Sequence, residues 1–160
     1  MALHKLIVDD FIDDSYALFA IHCTIEDFRL AYLLNYYLNI NLKRKPQDLD
    51  FKYIESSYAI FEWNDLDNLR TWNLVSNVCK KEENSLISSG SLFTASNKII
   101  RTHNLVPEYK NVNFLLKITS DGNFINEKAI ISKIQEIPQI AAIYSIDVTQ
   151  LKYRDNLIFN

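Results

Sequence analysis

Residues 24–39, TIEDFRLAYLLNYYLN, constrain the chain more than any other stretch, because they carry its strongest helical signal. Thr24 offers an N-cap hydroxyl, and Glu26 and Asp27 put negative charge in the first turn, where free N–H groups and the helix dipole favour it. At about 100° per residue, Leu30, Ala31, Leu33, Leu34, Tyr37 and Leu38 share one broad face, wide enough to sit on a sheet. The opposite face is not polar. Ile25, Phe28, Tyr32 and Tyr36 run along it beside Arg29 and Asn35, the three aromatics at i, i+4 and i+8. A helix apolar on two faces is either sandwiched inside its own domain or meets a partner. Two readings stay open: the 80–110 connection or the tail Leu157-Ile158-Phe159 folds over the aromatics, or they remain exposed as anchors.

Around that helix the chain alternates strand patterns with one smaller helix. Residues 15–23, SYALFAIHC, are uncharged and apolar in both alternating sets, so they read as an interior strand. Residues 4–8 read as a short edge strand and 49–54 as a further strand. Residues 57–63 and 71–79 alternate, and the connector 64–70, with Asn and Asp but no Gly, predicts an open hairpin rather than a two-residue turn. The polar, serine-rich stretch 80–98 around Gly90 reads as the least ordered. Residues 112–119 place Phe114, Leu116 and Ile118 on one strand face, and 120–123 make a turn. The second helix, 126–137, is capped by Asn126, stapled by Ile125 against Ile130, striped with Ile130, Ile131, Ile134 and Ile137, and stopped by Pro138. Residues 139–148 form the last strand, and the tail docks through Leu157, Ile158 and Phe159.

Helices arriving singly between strands favour an α+β, two-layer sandwich. Its sheet is mostly antiparallel with both helices on one face, and its ending is a ferredoxin-like β-α-β. At 160 residues and 48% hydrophobic, the chain fits one domain. Such a domain buries about 70% of its unfolded surface without a staple.

Composition and spacing exclude several chemistries. The net charge of −3 gives no general pull toward nucleic acid or an anionic membrane. The apolar run Leu6-Ile7-Val8 is too short for a signal-peptide core, and the uncharged run 15–25 falls below the roughly 18 residues that cross a bilayer, so the cytoplasm is the expected location. Only Gly90 and Gly122 are present, far apart, so neither a phosphate loop nor a dinucleotide fingerprint can be written. His4, His22 and His103 are isolated and show no zinc spacing, so no metal or cofactor is expected. Cys23 and Cys79 read as free, mostly buried thiols. His22 and Cys23, adjacent on a strand, point to opposite faces and cannot pair. Asp9, Asp10, Asp13 and Asp14 lack the glycine and closing glutamate of a calcium loop and read as a solvated turn. Ser85, Ser88, Ser89 and Ser91 lack a nucleophile elbow and read as a loop. Lys43, Arg44 and Lys45, with Lys52, are the candidate phosphate or RNA contact, against which stand the acidic net charge and the missing RNP-type motif.

The stretch Val106-Pro107-Glu108-Tyr109-Lys110-Asn111-Val112-Asn113-Phe114 resembles the motif of the bacterial IPExxxVDY family. Pro107, Glu108 and Val112 match, while Val106, Asn113 and Phe114 stand where the motif has Ile, Asp and Tyr. Asp27-Phe28-Arg29-Leu30-Ala31 with Asn35 is similar to the family's first helix, and the Leu157 tail to its end, so the resemblance covers most of the chain. It implies no established activity, ligand or catalytic residue, and Asn113 lacks the charge of the motif's Asp. Independently of the resemblance, Pro107 and Glu108 suit the first turn of a short helix or 3₁₀ turn, since proline needs no N–H there and glutamate suits the dipole.

The expected function is a non-catalytic interaction module that docks on a protein or ribonucleoprotein partner through Ile25, Phe28, Arg29, Tyr32 and Tyr36. The alternative is an ACT-like domain that senses a small molecule. Those domains usually have a glycine-containing strand-to-helix loop, where this chain has Cys23-Thr24. An RNA-binding accessory role comes third.

Overall fold

The computed structural model describes residues 16–51, 56–85 and 97–159. The expected strand at 4–8, the acidic turn, Lys52, Gly90 and Ser88, Ser89 and Ser91 lie outside the described residues.

Strand β1 (Tyr16–Cys23) is apolar in both alternating sets and takes an interior place. It pairs antiparallel with β10 (Ile140–Ile146) on one side and β9 (Phe114–Ser120) on the other. Beyond β9 come β6 (Arg70–Ser76), β5 (Ile60–Asp65) and the two-residue β2 (Lys43–Arg44), each antiparallel to its neighbour. The six-stranded order is therefore β10-β1-β9-β6-β5-β2. Helix α1 (Asp27–Leu38) follows β1, and α2 (Glu127–Gln135) joins β9 to β10. With those helices, β10-β1-β9-β6 has the order and directions of a ferredoxin-like β-α-β-β-α-β unit. The segment from β2 to β5 is an insertion between its first helix and second strand, and includes the hairpin of β3 (Leu49–Phe51) and β4 (Ser56–Tyr58).

Strand periodicity sorts the core onto the two sheet faces. Phe19, Ile21, Leu74, Leu116 and Ile118 meet Leu30, Ala31 and Leu34 of α1 and Ile130 and Ile134 of α2, so both helices lie on one face as expected. Leu18, Ala20, Val75 and Leu115 face the other way and are covered by Leu105, Val106, Val112, Val148, Leu151 and Leu157. The helix–sheet sandwich thus has a further cover of turns and tail on its far face. The tail docks, but on the side away from the helices and through Leu157 and Phe159 only, since Ile158, expected with them, is exposed; there Lys117 Nζ donates to the Leu157 carbonyl at 2.7 Å.

Local chemistry moves several boundaries. The helix begins at Asp27, not at Thr24: Glu26 is the N-cap without a side-chain cap bond, and the Asp27 carboxylate accepts from the Phe28 N–H at 2.7 Å. Asn39 ends it in the left-handed region, φ 53°. Asn126 caps α2 as expected, accepting from the Ala129 N–H at 3.2 Å. The open hairpin appears as the loop between Asp65 and Arg70. The expected strand at 57–63 breaks at Ala59, because β4 pairs with β3 while β5 pairs with β6. The one at 71–79 breaks at Asn77, and most of the flanks of 80–98 are strand rather than irregular: β7 (Val78–Ser85) and β8 (Asn97–Asn104) form a separate hairpin arm.

Asn77 is the reason for that second break. Fully buried, it donates through Nδ2 to the Tyr109 and Val112 carbonyls, both at 2.9 Å, and accepts from the Val106 N–H at 2.8 Å. Its backbone is engaged as well, donating to the Asn113 carbonyl and accepting from the Leu105 N–H. A strand residue that spends every polar atom on a loop cannot continue the ladder.

Candidate functional site

With α1 packed on the sheet through Leu30, Ala31 and Leu34, the residues a half-turn away face solvent. Phe28 is 62% exposed, Tyr32 67% and Tyr36 74%. They occupy successive turns of one helix face, and Arg29 beside them is also exposed. Tyr36 is held edge-on against the half-buried Tyr37, centroids 5.5 Å apart. Two residues expected with them are elsewhere. Ile25, ahead of the helix, is half-buried against the helix-side core. Asn35 turns inward and clasps Leu42, accepting its N–H at 2.8 Å and donating to its carbonyl at 3.1 Å, which turns the chain after the helix toward β2.

Two residues of the basic triplet are strand, and Lys45 follows them. Lys43 and Arg44 make up β2 on the edge of the sheet. Arg44 pairs with Asp48 and lies over the Phe61 ring, and Lys45 pairs with Glu62 at 3.3 Å. Two of the three cations therefore already have carboxylate partners, which lowers the positive potential this segment offers a phosphate.

The motif residues fasten the far face. Pro107 opens a 3₁₀ turn, Pro107–Tyr109, in the proline-compatible first positions. The exposed Glu108 carboxylate accepts from the Lys152 and Tyr153 N–H groups, at 2.7 and 3.0 Å, tying the tail to the turn. Val112 is buried beneath. Asn113 Oδ1 accepts from the Cys23 N–H at 3.1 Å, next to the register shift that ends β1. An amide serves there as well as a carboxylate, so that contact does not depend on the charge Asn113 lacks.

His22 and Cys23 do point to opposite faces. His22 Nε2 lies 3.0 Å from the Tyr144 hydroxyl, whereas the Cys23 sulfur belongs to the helix-side core. Burial raises the Cys23 thiol above its ordinary pKa, opposite to what a nucleophilic thiolate needs. Burial, and secondarily Tyr109, also raise the Tyr144 phenol. Among the described residues no group of three His, Cys, Asp or Glu side chains could hold a metal, and no helix is long and apolar enough to cross a membrane.

A cavity of about 240 Å³ opens where the end of α1, the start of α2 and the β5–β6 hairpin meet, and none of its lining residues is a site candidate in the sequence, Leu38 and Ile130 being expected only as packing residues. Trp63, Trp72, Arg70 and Lys133 line it. They come from three separate elements, and the only sequence hint is that the two tryptophans of the chain flank one hairpin.

No protein-family model matches the chain, and no curated protein or solved structure is significantly similar to it.

Proposed function

We propose that this protein is a non-catalytic interaction module of the cytoplasm, and that it docks the outer face of α1 into an apolar groove of another protein. The observation that carries this reading is the exposure of Phe28, Tyr32 and Tyr36 on consecutive turns of a helix whose inner face is already used. Side chains of this kind bury 150–250 Å² each, so the exposed parts together offer on the order of 400 Å², the size at which a surface patch on a monomer is often functional. Anchors at i, i+4 and i+8 fit the helix-in-groove mode of recognition, and tyrosine and arginine are enriched at binding hot spots. A protein is favoured over RNA because Arg44 and Lys45 are engaged by Asp48 and Glu62. Membership of the IPExxxVDY family belongs to the same proposal. In it Pro107, Glu108 and Val112 serve as a structural fastening rather than as a catalytic group, in keeping with the bonds from Glu108 to the tail.

The test is the double variant Phe28→Ser/Tyr32→Ser. The partner is first recovered from native lysate with the unaltered chain, then purified so that affinities can be measured directly. A surface role predicts a melting temperature within a few degrees of the parent and an affinity at least about thirtyfold weaker, as two hot-spot anchors of about 1–2 kcal/mol each imply. Unchanged affinity, or a partner that proves to be RNA or a metabolite, would refute the reading.

A further inference from the structure

The two edges of the six-stranded sheet are finished in opposite ways. On one side β2 is two residues long and both are cations, Lys43 and Arg44, the short charged ending that keeps a sheet from pairing further. On the other side β10, IAAIYSI, carries no charge and no proline over seven residues. The direction of its free backbone groups follows from β1. Ile21 gives its carbonyl to the Asn113 N–H, on the β9 side. Backbone groups alternate along a strand, so Ile21 and Phe19 bond toward β9, and the residues opposite them on β10, Ile143 and Ser145, face away from β1. Among the described residues nothing bonds the N–H or C=O of either one. Ala142, Tyr144 and Ile146 are the residues whose backbone faces β1. Between Ala142 and Ile140 the register shifts and Ala141 has no opposite on β1, so Ala142–Ile146 is the regular stretch.

We infer that this edge is a homodimer interface, at which β10 pairs antiparallel with β10 of a second copy about a two-fold axis at Tyr144. That register sets Ile143 against Ser145 of the second copy, and the reverse, so the free N–H and C=O of both residues are answered. It also keeps the sheet faces matched. Tyr144 meets its own counterpart on the far face, flanked by Ala142 against Ile146, a small side chain against a larger one, with no charge among them. Tyr144 is already steadied there, its hydroxyl 3.0 Å from His22 Nε2, yet it is 39% exposed. A second copy is favoured over an unrelated strand because one edge supplies both halves of the contact. It is favoured over open-ended stacking because the sheet's other edge, β2, is short and charged, so pairing through this sheet closes at two. Contact through one strand edge falls at the small end of interface areas, below about 1,200 Å², so the dimer is reversible. The edge belongs to a different element from the α1 docking face and does not rest on that reading.

Sedimentation equilibrium of the full chain, from about 5 to about 500 μM, should show monomer and dimer in exchange and no larger species. Amide exchange across the same dilution locates the contact. Ile143 and Ser145 should exchange at least about tenfold more slowly at the concentrated end, while Tyr144, already bonded to β1, changes far less. Ser145→Pro removes an outward donor without touching the β1 ladder, and Tyr144→Lys sets two cations together at the axis. Each should weaken dimerisation at least about tenfold, with a melting temperature near that of the dilute parent. Phe28→Ser/Tyr32→Ser should leave the dimer unchanged. A chain that stays monomeric throughout, or a dimer whose Ile143 and Ser145 amides exchange as fast as in dilute solution, would overturn the inference. So would a dimer dissolved by the α1 variant but not by the β10 variants. Protection of both amides at every dilution would overturn it too, by showing that residues 1–15 of the same chain supply the strand.

Discussion

Removing the Asn77 side chain tests the account of why the second strand of the ferredoxin-like unit, β6, stops and a separate arm begins. In Asn77→Ala the backbone is kept and three hydrogen bonds are lost. The Tyr109 carbonyl retains the Val112 N–H at 3.0 Å, so it is only partly deprived. The Val106 N–H and the Val112 carbonyl lose the side-chain partner the structure gives them, beside core residues that are themselves inaccessible to water. A buried group left unpaired costs about 1–3 kcal/mol, so two orphans and one weakened carbonyl predict a loss of about 3–5 kcal/mol. That is a large share of the roughly 5–15 kcal/mol that holds an ordinary domain together. The assay is urea unfolding followed by circular dichroism, with Asn73→Ala as the control. Asn73 is equally buried but gives only one side-chain bond, to Glu62 at 3.0 Å, and should cost about 1 kcal/mol. Asn77→Asp should be at least as damaging near neutral pH, because it sets a carboxylate against two carbonyl oxygens. That acid's pKa is then raised by folding, so the variant should lose stability as pH rises above the ordinary carboxyl range of about 4. A loss below about 1 kcal/mol for Asn77→Ala, or one equal to that of Asn73→Ala, would refute the reasoning.

Glu108→Ala should release the tail from the 3₁₀ turn, with a loss of about 1 kcal/mol and faster amide exchange at Lys152 and Tyr153; Glu108→Gln keeps an acceptor and should preserve most of that protection. Cys23 should resist alkylation at pH 8 until the protein unfolds, while the half-buried Cys79 reacts first. Because folding raises the Cys23 pKa, its ionisation favours the unfolded chain, so stability should fall as pH climbs above about 8.5, where the unfolded thiol ionises. A Cys23→Ala variant should show less of that alkaline loss.

What the sequence made legible was chemistry carried by neighbours in the chain. The interior place of β1 follows from eight uncharged residues apolar on both faces, and the cap of α2 from Asn126 three residues before Ala129. Where a competing partner sits far away, the local pattern misleads. Thr24 looks like a cap, yet the chain bends at Ile25, is extended at Glu26 and turns helical only afterwards. Asn77 looks like any outward residue of an alternating strand, because its partners at 106, 109 and 112 lie about thirty residues downstream. The aromatic stripe of α1 could be read from spacing, but not its exposure, which depends on the tail having gone to the far face. The cavity was illegible for the same reason: no periodicity links Trp63 to Lys133.

The central position of β1 bears on how the chain comes to be folded at all. Its two ladder partners are supplied by residues 114–119 and 140–146, so the first described strand is completed only when the last one arrives. Before β9 emerges, α1, the immediate successor of β1, can shield Phe19 and Ile21 on one face, but both backbone edges of YALFAIHC stand open, and one edge stays open until β10 follows. Pairings this distant in sequence slow folding, and an open, uncharged edge is a template for wrong strands. During synthesis the chain therefore passes through a long interval in which its most apolar strand lacks both neighbours. Clipping the chain before Ile140 would leave β9 in place but remove β10 for good, converting the best-protected strand of the fold into its most aggregation-prone edge.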